Sequence, residues 1–276
     1  MNAELPTLDL AVATHRPEGI RRVASMVLPP MPGVRYVVSW QSHGDSPLPA
    51  ELRERPDVEI HRFSGSGLSN NRNNAIDHCT ADLILFADDD VIYSPEGITQ
   101  LRRTFADNPE VDFITLRSRH GDLSRFPNQS VRLKSRLPKG YSVASFEIAF
   151  RRIRCGALHC CPELGLGAPR LHGGEDEIFL LSAIKRGFDC RYFPITIGAH
   201  PHESTGTKAK MTDGNILAAG CVIALTYPWS AALRLPLKAW RLARSGRAPF
   251  FSALLRLGQG ALSAPALRRR HLSTLW

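Results

Sequence analysis

Three carboxylates in a row, Asp88-Asp89-Asp90, stand directly behind the apolar run Leu83-Ile84-Leu85-Phe86-Ala87. Such a run reads as a buried strand, so the acids lie where a strand leaves the core. Adjacent anions repel one another, and a fold keeps them there only against a cation or strong hydrogen-bond donors. Hard divalent ions such as Mg2+ or Mn2+ take one or two carboxylates and complete their shell with phosphate oxygens, which points to a nucleotide diphosphate carried by a metal. The plainer alternative is an acidic loop ahead of a helix, because Ser94-Pro95-Glu96 is a good helix start.

The flanking pattern is that of an α/β chain. Leu8-Asp9-Leu10-Ala11-Val12-Ala13 predicts a first strand, followed by Thr14-His15-Arg16-Pro17 and a helix to about Val27. Gly33 to Ser39, Val58 to Phe63 and Leu83 to Ala87 predict three more strands. Strands alternating with helices imply a mostly parallel sheet. Ser64-Gly65-Ser66-Gly67 precedes a helix that Ser69 can cap and that carries Arg72 and Asn73; such turns commonly meet phosphate. Arg117 to Lys139 is basic and proline-punctuated, a long connection with a short strand at Val131 to Leu133, and Val143 to Phe150 is a strand ending in Arg151-Arg152.

Further on, a loop at Gly165-Leu166-Gly167-Ala168-Pro169 and a double glycine, Gly173-Gly174, lead into Glu175-Asp176-Glu177. Ile178, Leu181 and Ile184 then keep helical spacing, and Gly187 ends the helix. Acids in a first helical turn are stabilised by the helix dipole alone. A carboxylate placed behind mobile glycines can also point into a cleft and take the proton of a sugar hydroxyl as it attacks an anomeric carbon. The leaving group would then be a nucleoside diphosphate, its charge neutralised by a metal at the aspartate triplet.

Length and composition narrow the class. A chain of 276 residues holds one large α/β domain or two small ones. Its six cysteines lack C-x-x-C spacing and no secretory leader precedes them, so a reduced, cytosolic state is expected. Cys155, His159, Cys160 and Cys161 supply no second ligand pair for zinc, and small buried thiols are the simpler reading. The charge is uneven: all 26 acids lie at or before Asp213, and the whole net charge of +9 belongs to the last 63 residues.

Four motifs recur in order: Gly67-Leu68-Ser69-Asn70-Asn71-Arg72-Asn73 before the acidic strand end, the triplet itself as a D-x-D, Ala149-Phe150-Arg151-Arg152, and Gly173-Gly174-Glu175-Asp176 as a G-x-E-D. His200 follows 24 residues after Asp176. Together these resemble an inverting glycosyltransferase of the GT-A fold, family 2 type, over about residues 8 to 203. The resemblance implies a Rossmann-like, mostly parallel sheet flanked by helices, and a metal-dependent enzyme moving sugar from a nucleotide-diphosphate donor to a glycan or lipid-linked acceptor in envelope polysaccharide assembly. It implies that Asp90 binds Mn2+ or Mg2+, that His200 completes the metal shell with His202 as competitor, and that Asp176, beside Glu175, is the base. Thr14, Arg16, Gln41, Arg72, Asn73, Asp88 and Asp89 would line the donor, with Asp88 toward the ribose or base. Gly174, Arg132, Lys134 and Arg136 would meet the acceptor.

One departure stands out. The family follows its second strand with Asp-Asp-Gly-Ser, whose acid reads uracil, whereas this chain has Ser39-Trp40-Gln41-Ser42. Gln41 can hydrogen-bond a base, and Trp40 can stack on one or pack. A UDP-sugar stays the default donor, with guanosine and deoxythymidine donors open.

The sequence divides into a transferase domain, 1–213, and a helical basic tail, 214–276. In the tail Trp229, Leu233, Leu237 and Trp240 recur at helical spacing beside Arg234, Lys238, Arg241 and Arg244, with Pro236 interrupting. That pattern suits an amphipathic segment on an anionic membrane, which places the protein on the inner face of the cytoplasmic membrane. A packed basic subdomain is the alternative, and nucleic-acid binding lacks any reader motif. A nucleotidyltransferase would want a phosphate loop that Thr14-His15-Arg16-Pro17 is not, and a degenerate scaffold would not need Asp90, Asp176 and His200.

Overall fold

The computed structural model describes residues 4–119, 126–135, 137–138, 141–199 and 211–271. The strands are β1 (Leu8–His15), β2 (Val34–Gln41), β3 (Val58–Phe63), β4 (Leu83–Asp88), β5 (Ile92–Tyr93), β6 (Phe113–Ser118), β7 (Val131–Arg132), β8 (Ile148–Arg151) and β9 (Cys190–Ala199). The helices are α1 (Arg16–Met26), α2 (Ala50–Arg53), α3 (Leu68–His78), α4 (Pro95–Asp107), α5 (Arg152–Cys155), α6 (Glu175–Lys185), α7 (Asp213–Thr226), α8 (Ala231–Arg244) and α9 (Phe250–His271). Two compact units result: one of the described residues to 66, 70–159 and 187–199, and one of 67–69, 160–186 and 211–271.

In the first unit the nine strands make one sheet in the order β3-β2-β1-β4-β8-β6-β9-β5, with β7 on β9. The parallel sheet expected from the βα alternation is β3-β2-β1-β4. Beyond β4 the sheet is mixed: β8 runs antiparallel between β4 and β6, and β9 lies parallel to β6. Central strands covered on both faces carry apolar residues at nearly every position, and β1 and β4 do so. Ile20 and Val23 of α1 and Ile98, Leu101 and Phe105 of α4 pack with Leu10, Val12 and Leu85 of the sheet.

The one acid inside β1, Asp9, is fully buried, and it is satisfied: its carboxylate accepts from Arg35 at 2.9 and 3.0 Å and from the backbone amides of Thr80 and Ala81 at 2.7 and 2.9 Å. This anchor holds the turn into β4 and so sets the strand that carries the aspartate triplet.

The second unit is helical. Cys161, Leu164, Leu171, Ile178 and Leu181 share one core with Cys221 and Leu225 of α7 and Leu267 of α9. Glycine makes the α7–α9 contact close: a side chain at Gly220 would run into the Leu257 backbone, and one at Gly260 into that of Leu217. The boundary expected at 213/214 therefore falls inside this unit. Residues 214–271 are part of a core with 160–186, because α7 covers an apolar face of α6 that nothing in the sequence pairs with it.

Candidate active site

In the first unit, β1, β2 and β4 end side by side, and residues at those carboxyl ends form one constellation. Ligands of open α/β sheets bind at this edge. His15 is opposite Gln41, and Ala13 opposite Asp88. The backbone after β1 turns sharply: Arg16 has φ +66, and Ser42, just past β2, has φ +52. Non-glycine residues in that region store strain and gather at functional sites. The indole Nε1 of Trp40, fully buried, donates to the Arg16 carbonyl at 2.9 Å and holds the turn, which leaves the Arg16 side chain exposed. Trp40 therefore packs. Gln41 donates from Nε2 to Gly65 O at 2.8 Å and ties the glycine loop to the end of β2.

The three aspartates have different surroundings. Asp88 is half-buried and meets Arg72 at 3.1 Å and the Ser145 hydroxyl at 3.1 and 3.3 Å, while its amide donates to Tyr93 Oη at 3.2 Å. Arg72 also donates to Ser145 Oγ at 2.5 Å. Asp89 points the other way. Its carboxylate accepts from Thr14 Oγ1 at 2.5 Å and from Arg22 at 3.0 and 2.9 Å. Burial pushes the Asp89 carboxyl up in spite of these bonds, while the same pair raises Arg22; the desolvation cost falls on the acid because the acid is the buried partner. Asp90 is half-buried beyond it and close enough to act on Arg22 and Asp89.

Thr14 and Asp89, expected at the donor, thus spend their polar side-chain atoms on each other and on Arg22. Arg22, Ser145, Tyr93 and Asn71, whose amide donates to Thr14 O at 2.8 Å, shape this edge and were not predicted from the sequence. Asn73 is half-buried on α3 beside Arg72.

The second unit carries the other acids. Gly174 caps α6 with φ +80, and a Cβ there would strike Val222, so backbone and space both require glycine. Glu175 is buried against Gly165 and Ser69; the Ser69 hydroxyl donates to Leu164 O at 2.6 Å rather than capping α3. Asp176 is half-buried. Glu177 is exposed.

Residues 47–164 match the sequence model of Glycosyl transferase family 2. The match covers less than half of the chain, and over that stretch the sequence is similar to family 2 glycosyltransferases. The matched stretch holds Gly67 to Asn73, the aspartate triplet and Ala149 to Arg152, and it ends before Gly173. Among solved structures, S. aureus TarS 1–349 aligns at TM-score 0.58 and 13% identity over 94% of this chain and 91% of that one. Its complex with UDP-GlcNAc aligns at 0.57 and 12%, over 98% and 93%. The mannosyltransferase PcManGT from Pyrobaculum calidifontis, in complex with GDP-Man and Mn2+, aligns at 0.55 and 13%, over 98% and 76%. At these identities the likeness is one of fold. No curated protein matches the sequence.

Among the described residues no three His, Cys, Asp or Glu side chains form a metal cage, and His159 is turned to Asp77 at 2.7 Å. One or two carboxylates at Asp88 and Asp90 are the donor set of a hard cation that brings phosphate oxygens with it, so the residues present fit Mg2+ or Mn2+ and not a closed zinc site. His200, His202 and Arg136 lie outside the described residues.

The register sets Arg132 and Lys134, expected at the acceptor, apart from the aspartate triplet. Arg132 pairs with Arg191, which is level with Ile114, Ala149 and Leu85 across the sheet. It is thus three residues below Asp88 and four strand spacings away, about 19 Å at roughly 4.8 Å each. Leu133 continues downward, its amide donating to Cys190 O, so Lys134 lies still nearer the opposite edge. Arg132 faces Asp189 at 3.5 Å there.

Proposed function

We propose that this nucleotide-sugar glycosyltransferase inverts the anomeric centre of its donor, depends on Mn2+ or Mg2+, and delivers sugar to a glycan or lipid-linked acceptor in envelope polysaccharide assembly, on the inner face of the cytoplasmic membrane. The observation that carries the catalytic part is the split fate of the aspartate triplet: Asp89 is locked to Thr14 and Arg22, while Asp88 and Asp90 stay at the carboxyl edge of the sheet. Exposed Arg16 on its strained turn suits the donor diphosphate.

In the reaction Asp176 takes the proton of the acceptor hydroxyl as that oxygen bonds to the anomeric carbon, and the bond from that carbon to the diphosphate oxygen breaks on the opposite face. A bound divalent cation supplies neutralisation of the charge left on the diphosphate. Arg72 and Ser145 hold Asp88 in place throughout. Glu175, buried under the Gly165 loop, positions the first turn of α6. UDP is the default carrier, supported by the TarS complex with UDP-GlcNAc; the PcManGT complex with GDP-Man keeps guanosine donors open.

The test is nucleoside diphosphate release from UDP- and GDP-sugars by the full chain. Release that needs Mn2+ or Mg2+ and stops with a chelator supports the proposal. Release unaffected by chelation overturns the metal dependence, and no release with any donor and acceptor preparation overturns the reading.

A further inference from the structure

The second unit displays an apolar surface unrelated to its own core. In α8, Leu235, Ala239 and Leu242 face inward, onto Ile216 of α7 and Ala253 and Leu257 of α9. At 3.6 residues per turn the opposite face carries Leu233, Leu237 and Trp240, continuing from Trp229 in the short turn before α8. These side chains are in water: Trp229 is 100% exposed, Leu233 80%, Trp240 49% and Leu237 46%. α9 repeats the device, with Ala253, Leu257 and Leu267 inward and Phe251, Leu255 and Leu262 exposed. A folded helix that buries one apolar face and shows another has a partner for the second.

The charge beside that face identifies the partner. No acid follows Asp213. Arg256 is satisfied by Asp213 at 2.8 Å and Arg270 meets Glu163 at 3.3 Å. Among the described residues, Arg234, Arg241 and Arg244 on the flank of α8 meet no carboxylate and are exposed. Arg234 folds over the Tyr227 ring at 3.8 Å and Arg244 over Trp240 at 5.3 Å, stems along apolar surface and heads in water. A two-fold pairing with a second copy would set these cations against their own copies.

We infer that the outer face of α8 is a docking surface for an anionic lipid bilayer, with Trp229, Leu233, Leu237 and Trp240 entering the headgroup boundary and Arg234, Arg241 and Arg244 meeting lipid phosphates. The segment lies on the membrane. No single described helix is long and apolar enough to cross one, and α7 with the stretch Pro228–Arg244, which together have the length and composition, bend by 114°. α7 is besides committed to the core through Ile216, Ala218, Cys221 and Leu225. The surface deepens the proposed function by giving a lipid-linked acceptor a membrane to sit in, and it is read from residues that take no part in donor binding.

The experiment is flotation of the full chain with vesicles of phosphatidylcholine alone and with phosphatidylglycerol added. The wild-type chain floats with the anionic vesicles, and raised salt lowers but does not abolish the bound fraction. Replacing Arg234, Arg241 and Arg244 by Gln lowers partition onto anionic vesicles roughly 10- to 100-fold, while Trp229→Ser, at a site too exposed to matter for folding, weakens binding and makes what remains more salt-sensitive than wild type. Mn2+-dependent nucleotide binding by each variant stays at the wild-type level, so a failed membrane result and a failed donor result are told apart. A wild-type chain that does not float, or floats equally with neutral vesicles, overturns the inference. So does a chain whose Trp229→Ser variant passes from dimer to monomer with no change in flotation, which assigns the face to a second copy.

Discussion

Asp89 and Arg22 form a two-point ion pair, Oδ1 to Nε at 3.0 Å and Oδ2 to Nη2 at 2.9 Å, that fastens the end of β4 to α1. The middle aspartate of the triplet is thereby a structural anchor that turns its two neighbours toward the sheet edge. Asp89→Asn should lower the unfolding free energy by about 2 kcal/mol, less than for a fully buried pair because Arg22 is half in water. Urea denaturation measures it. A variant as stable as wild type would show that the anchor contributes nothing.

Asp176→Asn should leave nucleotide affinity unchanged and lower turnover by about 10^2-fold or more, since an amide keeps the shape and cannot accept the proton. Steady-state kinetics with a purified acceptor decides it. Near-normal turnover would move the base to Glu177 or to Glu175.

His61 and His78 stack with centroids 3.6 Å apart. Burial, then the charge of His78, lowers the His61 pKa below 6.5, while Glu59, in contact at 2.9 Å, opposes the shift. A base with a depressed folded pKa binds fewer protons folded than unfolded, so its contribution is present above pH 6.5 and is lost as the pH falls below that value. Urea midpoints at about pH 7.5 and about pH 5.5 should differ, the acid one lower, and His61→Phe should flatten the difference. An unchanged pH dependence in that variant would count against it.

Cutting the chain after residue 213 should leave residues 160–186 without a stable fold, because it strips Cys221, Leu225 and Leu267 from Leu164, Ile178 and Leu181, while the core of the first unit stays whole. Limited proteolysis of the fragment checks this; residues 160–186 as protected as in the full chain would restore the simple boundary at 213.

What the sequence reveals depends on how far apart the interacting residues are. β1 to β4, α6 and the amphipathic α8 are legible because a strand or helix repeats its pattern over a few residues. The position of Asp88, Asp89 and Asp90 at a strand end is local too. Their separate roles are not: Asp89 finds Thr14 and Arg22 at 75 and 67 residues' separation, and Asp88 finds Ser145 at 57. Arg132 and Lys134 look suited to an acceptor by their place between two motifs, yet strand order and register carry them toward the far edge, which no local pattern encodes. The inner face of α8 was hidden likewise, since its partners lie on α7 and α9.

Isothermal calorimetry of UDP and GDP against the full chain, with and without Mn2+, beside Asp90→Ala, tests the central claim most directly. The wild-type chain should bind one of the two nucleotides far more tightly with Mn2+ than without, and Asp90→Ala should lose that metal-dependent gain, since alanine cannot share the charge of cation and diphosphate. Binding that ignores Mn2+, or full metal-dependent affinity in Asp90→Ala, would contradict a metal-held donor at the end of β4.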